Sequence, residues 1–150
     1  MVDKNYLDFF AIGRAMHFAF EAHGDQMYGD APYAIHLLDV HKLVKSFGLS
    51  IEQEIIAFLH DVLEDTDVTF EELASAFSIE IASAVKILTR NEGEYYFDYI
   101  ERVCKDKWSR EVKFCDVLSN YDACIKSFPK HASLKNKYEK ALFYLCSRGD

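Results

Sequence analysis

The stretch FLHDVLEDT (residues 58–66) joins an apolar helical run to a cluster of ionisable side chains. The apolar residues before it predict a helix with a buried face, which ends abruptly at His60 and Asp61. Glu64 and Asp65 follow at once. Carboxylates this close together repel one another, and they lose hydration if they are partly buried. A bound cation would remove both costs. The alternative is a solvated helix end, although acidic groups there oppose the helix dipole.

We expect the helix to continue through this stretch. That would fix the directions in which the side chains of His60, Asp61, Glu64 and Asp65 point. Glu64 would then lie on the side of His60, and Asp65 on the side of Asp61. His60 and Asp61 are neighbours, so they would point about 100° apart. An ion held by both must therefore lie between them and take its other ligands from other segments.

Two further segments offer such ligands. His36 follows a proline and a tyrosine at the start of the predicted second helix. Asp116 lies in VKFCDVLSN (residues 112–120), where Lys113, Asp116 and Asn120 form one polar stripe on an otherwise apolar helix. Such a stripe lines a cavity or meets a polar partner, or else it is a narrow solvent face. The other histidines lie singly on amphipathic faces, a pattern more typical of packed or solvated side chains.

Helical periodicity dominates the whole chain, and no stretch alternates cleanly with a period of two. Ser50 with Gln53 and Thr69 with Glu72 have the spacing of capping boxes, and Ser78 is a further N-cap candidate. The sequence therefore predicts an all-α bundle with short connections. The expected helices begin with two at about residues 6–23 and 33–47. Ser50 opens a third, which carries residues 58–66, Thr69 opens a fourth, and Ser78 opens a fifth that ends at about residue 89. Two more follow at about residues 94–104 and 109–127, and a last one follows Pro129 and ends near residues 148–149.

Composition limits the class of protein. The chain has 150 residues, half of them apolar, and a formal net charge of −8. This length predicts one domain over residues 1–150. An acidic chain is a poor partner for nucleic acid or an anionic membrane, but it can bind a small phosphorylated molecule if a cation or local basic groups neutralise the phosphate. The oligomeric state is left open.

The cysteines and the N-terminus indicate a cytoplasmic protein. There is no C-x-x-C pair and no zinc-finger spacing, so we expect reduced thiols that fill the core. The N-terminus resembles neither a signal peptide nor a transit peptide. No apolar run approaches the roughly 20 residues of a membrane span. The cysteines are Cys104, Cys115, Cys124 and Cys146.

The order His36, His60-Asp61, Asp116 resembles the metal-binding signature of HD-domain phosphohydrolases. More narrowly, the chain resembles the hydrolase domain of RelA/SpoT proteins, which cleave the 3′-pyrophosphate from guanosine 3′-diphosphate 5′-diphosphate with Mn²⁺. The matching text is AHGDQMYGDAPYAIH, FLHDVLEDTDVTFEELASAF and VKFCDVLSN, within about residues 12–123. An HD pair alone carries little information, whereas HDxxEDT with an upstream PYxxH and a downstream KxxDxxxN is specific.

The resemblance implies a compact multi-helix HD-domain bundle with a metal site between helices. It implies roles for eight residues: metal ligands His36, His60, Asp61 and Asp116; catalytic residues Glu64 and Asp65; and nucleotide-site residues Lys113 and Asn120. Two imidazoles and two carboxylates suit Mn²⁺, and Fe²⁺, Co²⁺ and Zn²⁺ are alternatives. No synthetase domain or regulatory tail is present in the sequence, so we expect a stand-alone hydrolase.

The chain departs from the family pattern where the nucleotide would be held. After Gln26 the family usually carries basic residues, but Met27 and Tyr28 follow here. The DRLHN motif of the family is DVLSN here, which lacks its arginine and histidine. Tyr28 could stack on a base without supplying charge, and the nearest basic candidates are Lys113 and Arg90. We therefore expect guanosine tetraphosphate to be accepted less well than by relatives with the basic loop.

Three functions agree with these residues. The first is a metal-dependent phosphohydrolase acting on a small nucleotide-like phosphate, with guanosine tetraphosphate as the candidate substrate. The second is an HD phosphatase acting on another nucleotide or phosphoester. The third is a non-catalytic nucleotide sensor with an HD fold. The intact pair Glu64 and Asp65 argues against the sensor, which has no need of it.

Overall fold

The computed structural model describes residues 3–127 and 131–148, which form helices around one apolar core. The prediction of an all-α fold is confirmed. The elements are α1 (Lys4–His23), β1 (Met27–Tyr28), β2 (Ala31–Pro32), α2 (Tyr33–Ser46), α3 (Ile51–Leu59), α4 (Val62–Asp65), α5 (Phe70–Ala76), α6 (Ile79–Leu88), α7 (Tyr96–Val103), α8 (Lys107–Lys126) and α9 (Ala132–Ser147).

Local capping sets most of the helix starts, as the sequence predicts. Ser50 and Gln53 form a complete capping box at α3, and Thr69 and Glu72 form another at α5. Ser78 caps α6. α8 begins earlier than expected because the carboxylate of Asp106 accepts the backbone N–H of Ser109 at 2.9 Å. The predicted break at Pro129 lies outside the described residues.

Helix α3 is the centre of the bundle. It packs against α1, α2, α6 and α8, and all of its residues from Gln53 to Leu59 are buried. A helix surrounded by other helices must be apolar on every side, which explains the continuous apolar run before His60. The end of α3 consequently opens into the interior of the molecule, where neighbouring helices supply polar side chains.

The expectation of one continuous helix through residues 58–66 is wrong. α3 ends at Leu59 and α4 begins at Val62. The Nδ1–H of His60 donates to the carbonyl oxygen of Ala57 at 2.8 Å, an oxygen that a continuing helix would offer to the N–H of Asp61. The hydroxyl of Tyr33 also donates to the Asp61 carboxylate and holds it towards α2. Because of this break, His60 and Asp61 do not diverge as they would on a helix.

The segment before α2 contains a small hairpin that the sequence did not reveal. Met27 pairs with Pro32, and Tyr28 pairs with Ala31. Gly29 turns the chain with a positive φ of 60°, a conformation that glycine adopts without strain. Strands this short carry no periodic signal. The hairpin directs the ring of Tyr28 towards α2 and α8.

Two features relate to the environment of the protein. Cys104, Cys115, Cys124 and Cys146 are free thiols, and all except Cys146 are buried. Across residues 3–127 and 131–148, no helix has the length and apolar character needed to cross a membrane.

Candidate metal centre

Three buried side chains from separate parts of the fold meet behind the hairpin. His36 lies in the first turn of α2, His60 follows α3, and Asp116 lies in the middle of α8. One ligand atom from each lies within 4.8 Å of the other two. Nε2 of His36 is 3.1 Å and Nε2 of His60 is 3.6 Å from Oδ1 of Asp116. The three side chains could therefore hold one metal ion.

The hydrogen bonding of His60 fits a cation at this position. Because Nδ1–H of His60 is committed to a backbone carbonyl, the neutral ring has its lone pair on Nε2. That Nε2 is buried and has no well-aligned hydrogen bond, although Oδ2 of Asp61 lies only 2.9 Å away. A lone pair facing carboxylate oxygens is repulsive unless a proton or a metal ion lies between them. Two imidazoles and a carboxylate suit a divalent transition metal.

The ionisation of the site shows the same need for positive charge. Burial opposes ionisation of Asp116, but Lys113 and the two imidazoles hold the pKa of its carboxyl well below the usual range. Burial likewise opposes protonation of His60, yet Asp61 and Asp116 hold the pKa of its imidazole well above the usual value. A proton on Nε2 of His60 would balance these carboxylates. A divalent cation at Nε2 would take the place of that proton.

Asp61, the fourth predicted ligand, lies at the edge of this group. Its Oδ2 is close to Nε2 of His60, but the same oxygen accepts the hydroxyl proton of Tyr33. Burial first, and then Asp61, raise the pKa of the Tyr33 hydroxyl, which therefore remains a donor. The structure thus places Asp61 beside His60 but outside the group formed by His36, His60 and Asp116.

The predicted catalytic pair lies on α4, at the rim of the site. Glu64 and Asp65 are both exposed. Oδ2 of Asp65 accepts a hydrogen bond from Nε2 of Gln26 at 3.0 Å, and Oε1 of Gln26 lies 2.8 Å from Nδ1 of His23. Partial burial, followed by the charge of Asp61, raises the pKa of Glu64. The pair can therefore reach a substrate that enters from solvent.

The polar stripe of α8 faces the cluster rather than solvent. Nζ of Lys113 lies 2.7 Å from Oδ2 of Asp116, and Nδ2 of Asn120 donates to Oδ1 of Asp116 at 2.9 Å. The hydroxyl of Tyr28 donates to Oδ1 of Asn120 at 2.5 Å. The Tyr28 ring stacks on His36, with centroids 4.8 Å apart. The predicted nucleotide-site residues Lys113, Asn120 and Tyr28 therefore lie around the candidate metal ligands.

A cavity of about 460 Å³ lies beside Tyr28 and Asn120. Its lining includes Tyr28 and Asn120, together with Leu134 and Tyr138 of α9. Asn120 lines the cavity and also donates to Asp116 at 2.9 Å, so the cavity borders the cluster. The cavity has the size of a small-molecule site.

Sequence reasoning missed several residues at this site. Tyr33 precedes His36 by three residues on one helix face, and that spacing could have identified it. Gln26 and His23 belong to the matching motif AHGDQ, but the sequence placed His23 on an amphipathic helix face and gave Gln26 no role at the site. Tyr138 had no signal, because its place depends on how α9 packs against α8.

No family model matches the chain. Among curated proteins, it is 36% identical over 118 residues to a guanosine-3′,5′-bis(diphosphate) 3′-pyrophosphohydrolase of Aquifex aeolicus (strain VF5), covering 73% of this chain and 17% of that protein. It is 39% identical over 79 residues to the enzyme of the same name from Danio rerio, covering 49% of this chain and 44% of that protein. The chain thus spans less than half the length of these relatives.

The fold is similar to a solved structure of a metazoan SpoT ortholog, described as hydrolyzing ppGpp and playing a role in starvation responses. The TM-score is 0.76 at 20% identity, over 90% of this chain and 85% of that one. At this identity, the likeness concerns the fold alone. Together, the comparisons confirm the resemblance to the hydrolase domain of RelA/SpoT proteins.

Proposed function

We propose that this chain is a divalent-metal-dependent phosphohydrolase that converts guanosine 3′,5′-bis(diphosphate) and water into guanosine 5′-diphosphate and pyrophosphate. The observation that carries this proposal is the convergence of His36, His60 and Asp116, with a buried Nε2 of His60 that lacks a hydrogen bond. The similarity to enzymes named as pyrophosphohydrolases supports the choice of substrate.

We further propose that His36, His60, Asp61 and Asp116 hold one ion, with Mn²⁺ as the first candidate. When bound, such an ion lowers the pKa of a water molecule and polarises a phosphoryl oxygen. Tyr33 orients the Asp61 carboxylate through its hydroxyl. The carbonyl of Ala57 orients the His60 ring, as hydrogen bonds to the outer nitrogen of a ligating histidine commonly do.

The remaining residues act on the substrate and its proton. Lys113 is largely buried beside Asp116 and can bind a phosphoryl oxygen as negative charge develops there. Glu64 or Asp65 accepts the proton of the attacking water, since both reach solvent at the rim of the site. Asn120 and Tyr28 position the nucleoside from the opposite side.

A turnover assay tests the proposal. Metal-free protein would be reloaded separately with Mn²⁺, Fe²⁺, Co²⁺ or Zn²⁺ and assayed with a panel of nucleotides that includes guanosine tetraphosphate. We expect guanosine 5′-diphosphate and pyrophosphate in equal amounts. An absence of turnover with every ion would contradict the assignment, as would release of orthophosphate alone.

The hairpin favours a second candidate, a phosphatase that acts on another nucleotide or phosphoester. From Met27 to Asp30 it contains no basic residue, so it cannot neutralise a highly charged substrate. The same panel separates the two functions, because this second activity would appear as faster turnover of a less charged phosphate.

We also propose a cytoplasmic location, which suits four free thiols.

A further inference from the structure

Three cationic side chains gather around two neighbouring tyrosine rings, those of Tyr96 and Tyr99. The guanidinium carbon of Arg90 lies 6.0 Å and Nζ of Lys137 lies 4.1 Å from the ring centroid of Tyr96. Nζ of Lys113 lies 5.2 Å from the ring centroid of Tyr99. The two tyrosine rings are themselves only 6.2 Å apart. One aromatic platform therefore carries positive charge from three separate segments of the chain.

The charges of Arg90 and Lys137 are poorly neutralised by the protein. Within the described parts of the chain, no carboxylate lies at ion-pair distance from Arg90 or Lys137. Lys113 pairs only with Asp116, which is also a candidate metal ligand. Burial, followed by the charges of Arg90 and Lys113, lowers the pKa of Lys137. Like charges that are held together at a stability cost indicate a site for an anion.

The position of Arg90 is built into the connection between α6 and α7. Its Nε donates to the carbonyl oxygen of Glu94 at 2.9 Å. The Glu94 carboxylate in turn binds the guanidinium of Arg102 at 2.8 Å and the backbone N–H of Asn91 at 2.9 Å. This turn is therefore braced, and Arg90 does not have to be ordered when a ligand binds.

We propose that Arg90, Lys113 and Lys137 form an anion subsite that binds a second diphosphate group of the substrate, beyond the phosphate that reaches the metal centre. This inference rests on the proposed function. Lys113 links the two places, because it contacts both Asp116 and the Tyr99 ring. The subsite supplies from α9 and the α6–α7 connection the positive charge that the hairpin lacks.

Binding experiments on the full chain loaded with Mn²⁺ test the subsite. The variant Lys137→Gln removes one charge and keeps most of the side-chain stem. The matched control is Lys140→Gln, one turn further along α9, where an exposed lysine lies over Phe97 at 4.5 Å. Calorimetry would measure the dissociation constants of guanosine 5′-diphosphate and of inorganic pyrophosphate for the wild type and both variants.

We expect Lys137→Gln to weaken the binding of guanosine 5′-diphosphate about tenfold, because one charge-assisted contact to its diphosphate is lost. A loss confined to guanosine 5′-diphosphate supports the subsite. A loss confined to pyrophosphate would overturn it, because pyrophosphate is the diphosphate released at the metal centre. Unchanged binding of both ligands would overturn the inference, as would an equal loss in Lys140→Gln. If the wild type does not hydrolyse guanosine tetraphosphate, the proposed function fails, but these binding constants still decide the subsite.

Discussion

Nε2 of His60 lies 2.9 Å from Oδ2 of Asp61, although the two residues are neighbours in sequence. On a continuous helix their side chains would diverge by about 100°. They meet because α3 stops at Leu59 and the backbone of Asp61 takes φ −108° and ψ −1°. The break thus converts two adjacent residues into a pair that can face one ion.

The shared carboxylate of Asp116 gives the first prediction. In Asp116→Ala we expect the bound metal and the activity to be lost together, because this side chain contacts both imidazoles and Lys113. Metal content of the purified protein and pyrophosphate release measure the two effects. The matched control is Asp122→Asn, an exposed carboxylate on the same helix that pairs with Lys126. Full metal occupancy in Asp116→Ala would contradict the site.

The acidic pair on α4 gives a prediction that separates chemistry from metal binding. Glu64→Gln and Asp65→Asn should each retain the metal, and the variant that removes the proton acceptor should lower kcat by roughly 10²–10⁴. Asp67→Asn, a nearby exposed carboxylate, should behave as wild type. Steady-state kinetics together with metal analysis decide the matter. Unchanged turnover in both variants would mean that neither side chain handles the proton.

Tyr33 tests how the ligands are oriented. Tyr33→Phe removes only the hydroxyl that donates to Asp61. We expect metal affinity to fall by about 10–100-fold, the usual effect of losing a hydrogen bond to a ligand, with the melting temperature of the metal-free protein little changed. Competition with a chelator measures the affinity. Tyr95→Phe, at an exposed ring, is the control, and equal affinities in the two variants would argue against Asp61 as a ligand.

The ion pair of Glu94 with Arg102, in the turn that holds Arg90, predicts a pH-dependent contribution to the free energy of unfolding. Hydrogen bonds from Arg102 lower the pKa of Glu94 from its usual 4.5 to about 2. The depressed pKa means that this stability is fully present above pH 4.5 and is lost as the pH falls towards 2. Glu94→Gln should therefore lower the free energy of unfolding by about 1–2 kcal/mol at pH 7. The difference in unfolding free energy between this variant and the wild type should shrink as the pH falls below 4.5. Denaturant unfolding at several pH values checks this, and a gap that does not change with pH would contradict it.

Local signals explain what could be predicted from the sequence. Capping boxes at Ser50 and Thr69 depend only on neighbouring residues, so the helix starts followed from the sequence. The polar stripe containing Lys113 and Asp116 depends on one helix period, so its common face also followed. These features need no knowledge of the tertiary fold.

The features that could not be predicted depend on tertiary contacts. The break after Leu59 is stabilised by Tyr33, which lies 28 residues upstream of Asp61. The cationic group needs α9 to pack against α8, which brings Lys137 over a ring that precedes it by more than 40 residues. No local pattern encodes these approaches, because they depend on the shapes of the surfaces that pack together.

Tyr28 gives the last prediction, which concerns substrate binding. One face of its ring stacks on His36, and the residue also lines the cavity between α8 and α9. If a base stacks there, Tyr28→Ala should lose about 1–3 kcal/mol, the usual value of base–aromatic stacking, and so raise KM at least fivefold. Tyr28→Phe keeps the ring and loses only the hydrogen bond to Asn120, so its KM should stay closer to that of the wild type.

Comparison of kcat with KM separates this role from a structural one. Because the Tyr28 ring stacks on His36 and its hydroxyl donates to Asn120 rather than to the acidic pair, kcat should change less than KM in Tyr28→Ala. A relative with the basic loop should bind guanosine tetraphosphate more tightly than this chain, since its loop adds charge on the side where this chain carries a tyrosine. An equal rise in KM for Tyr28→Ala and Tyr28→Phe would assign the contribution to the hydroxyl and Asn120, and would exclude stacking as its source.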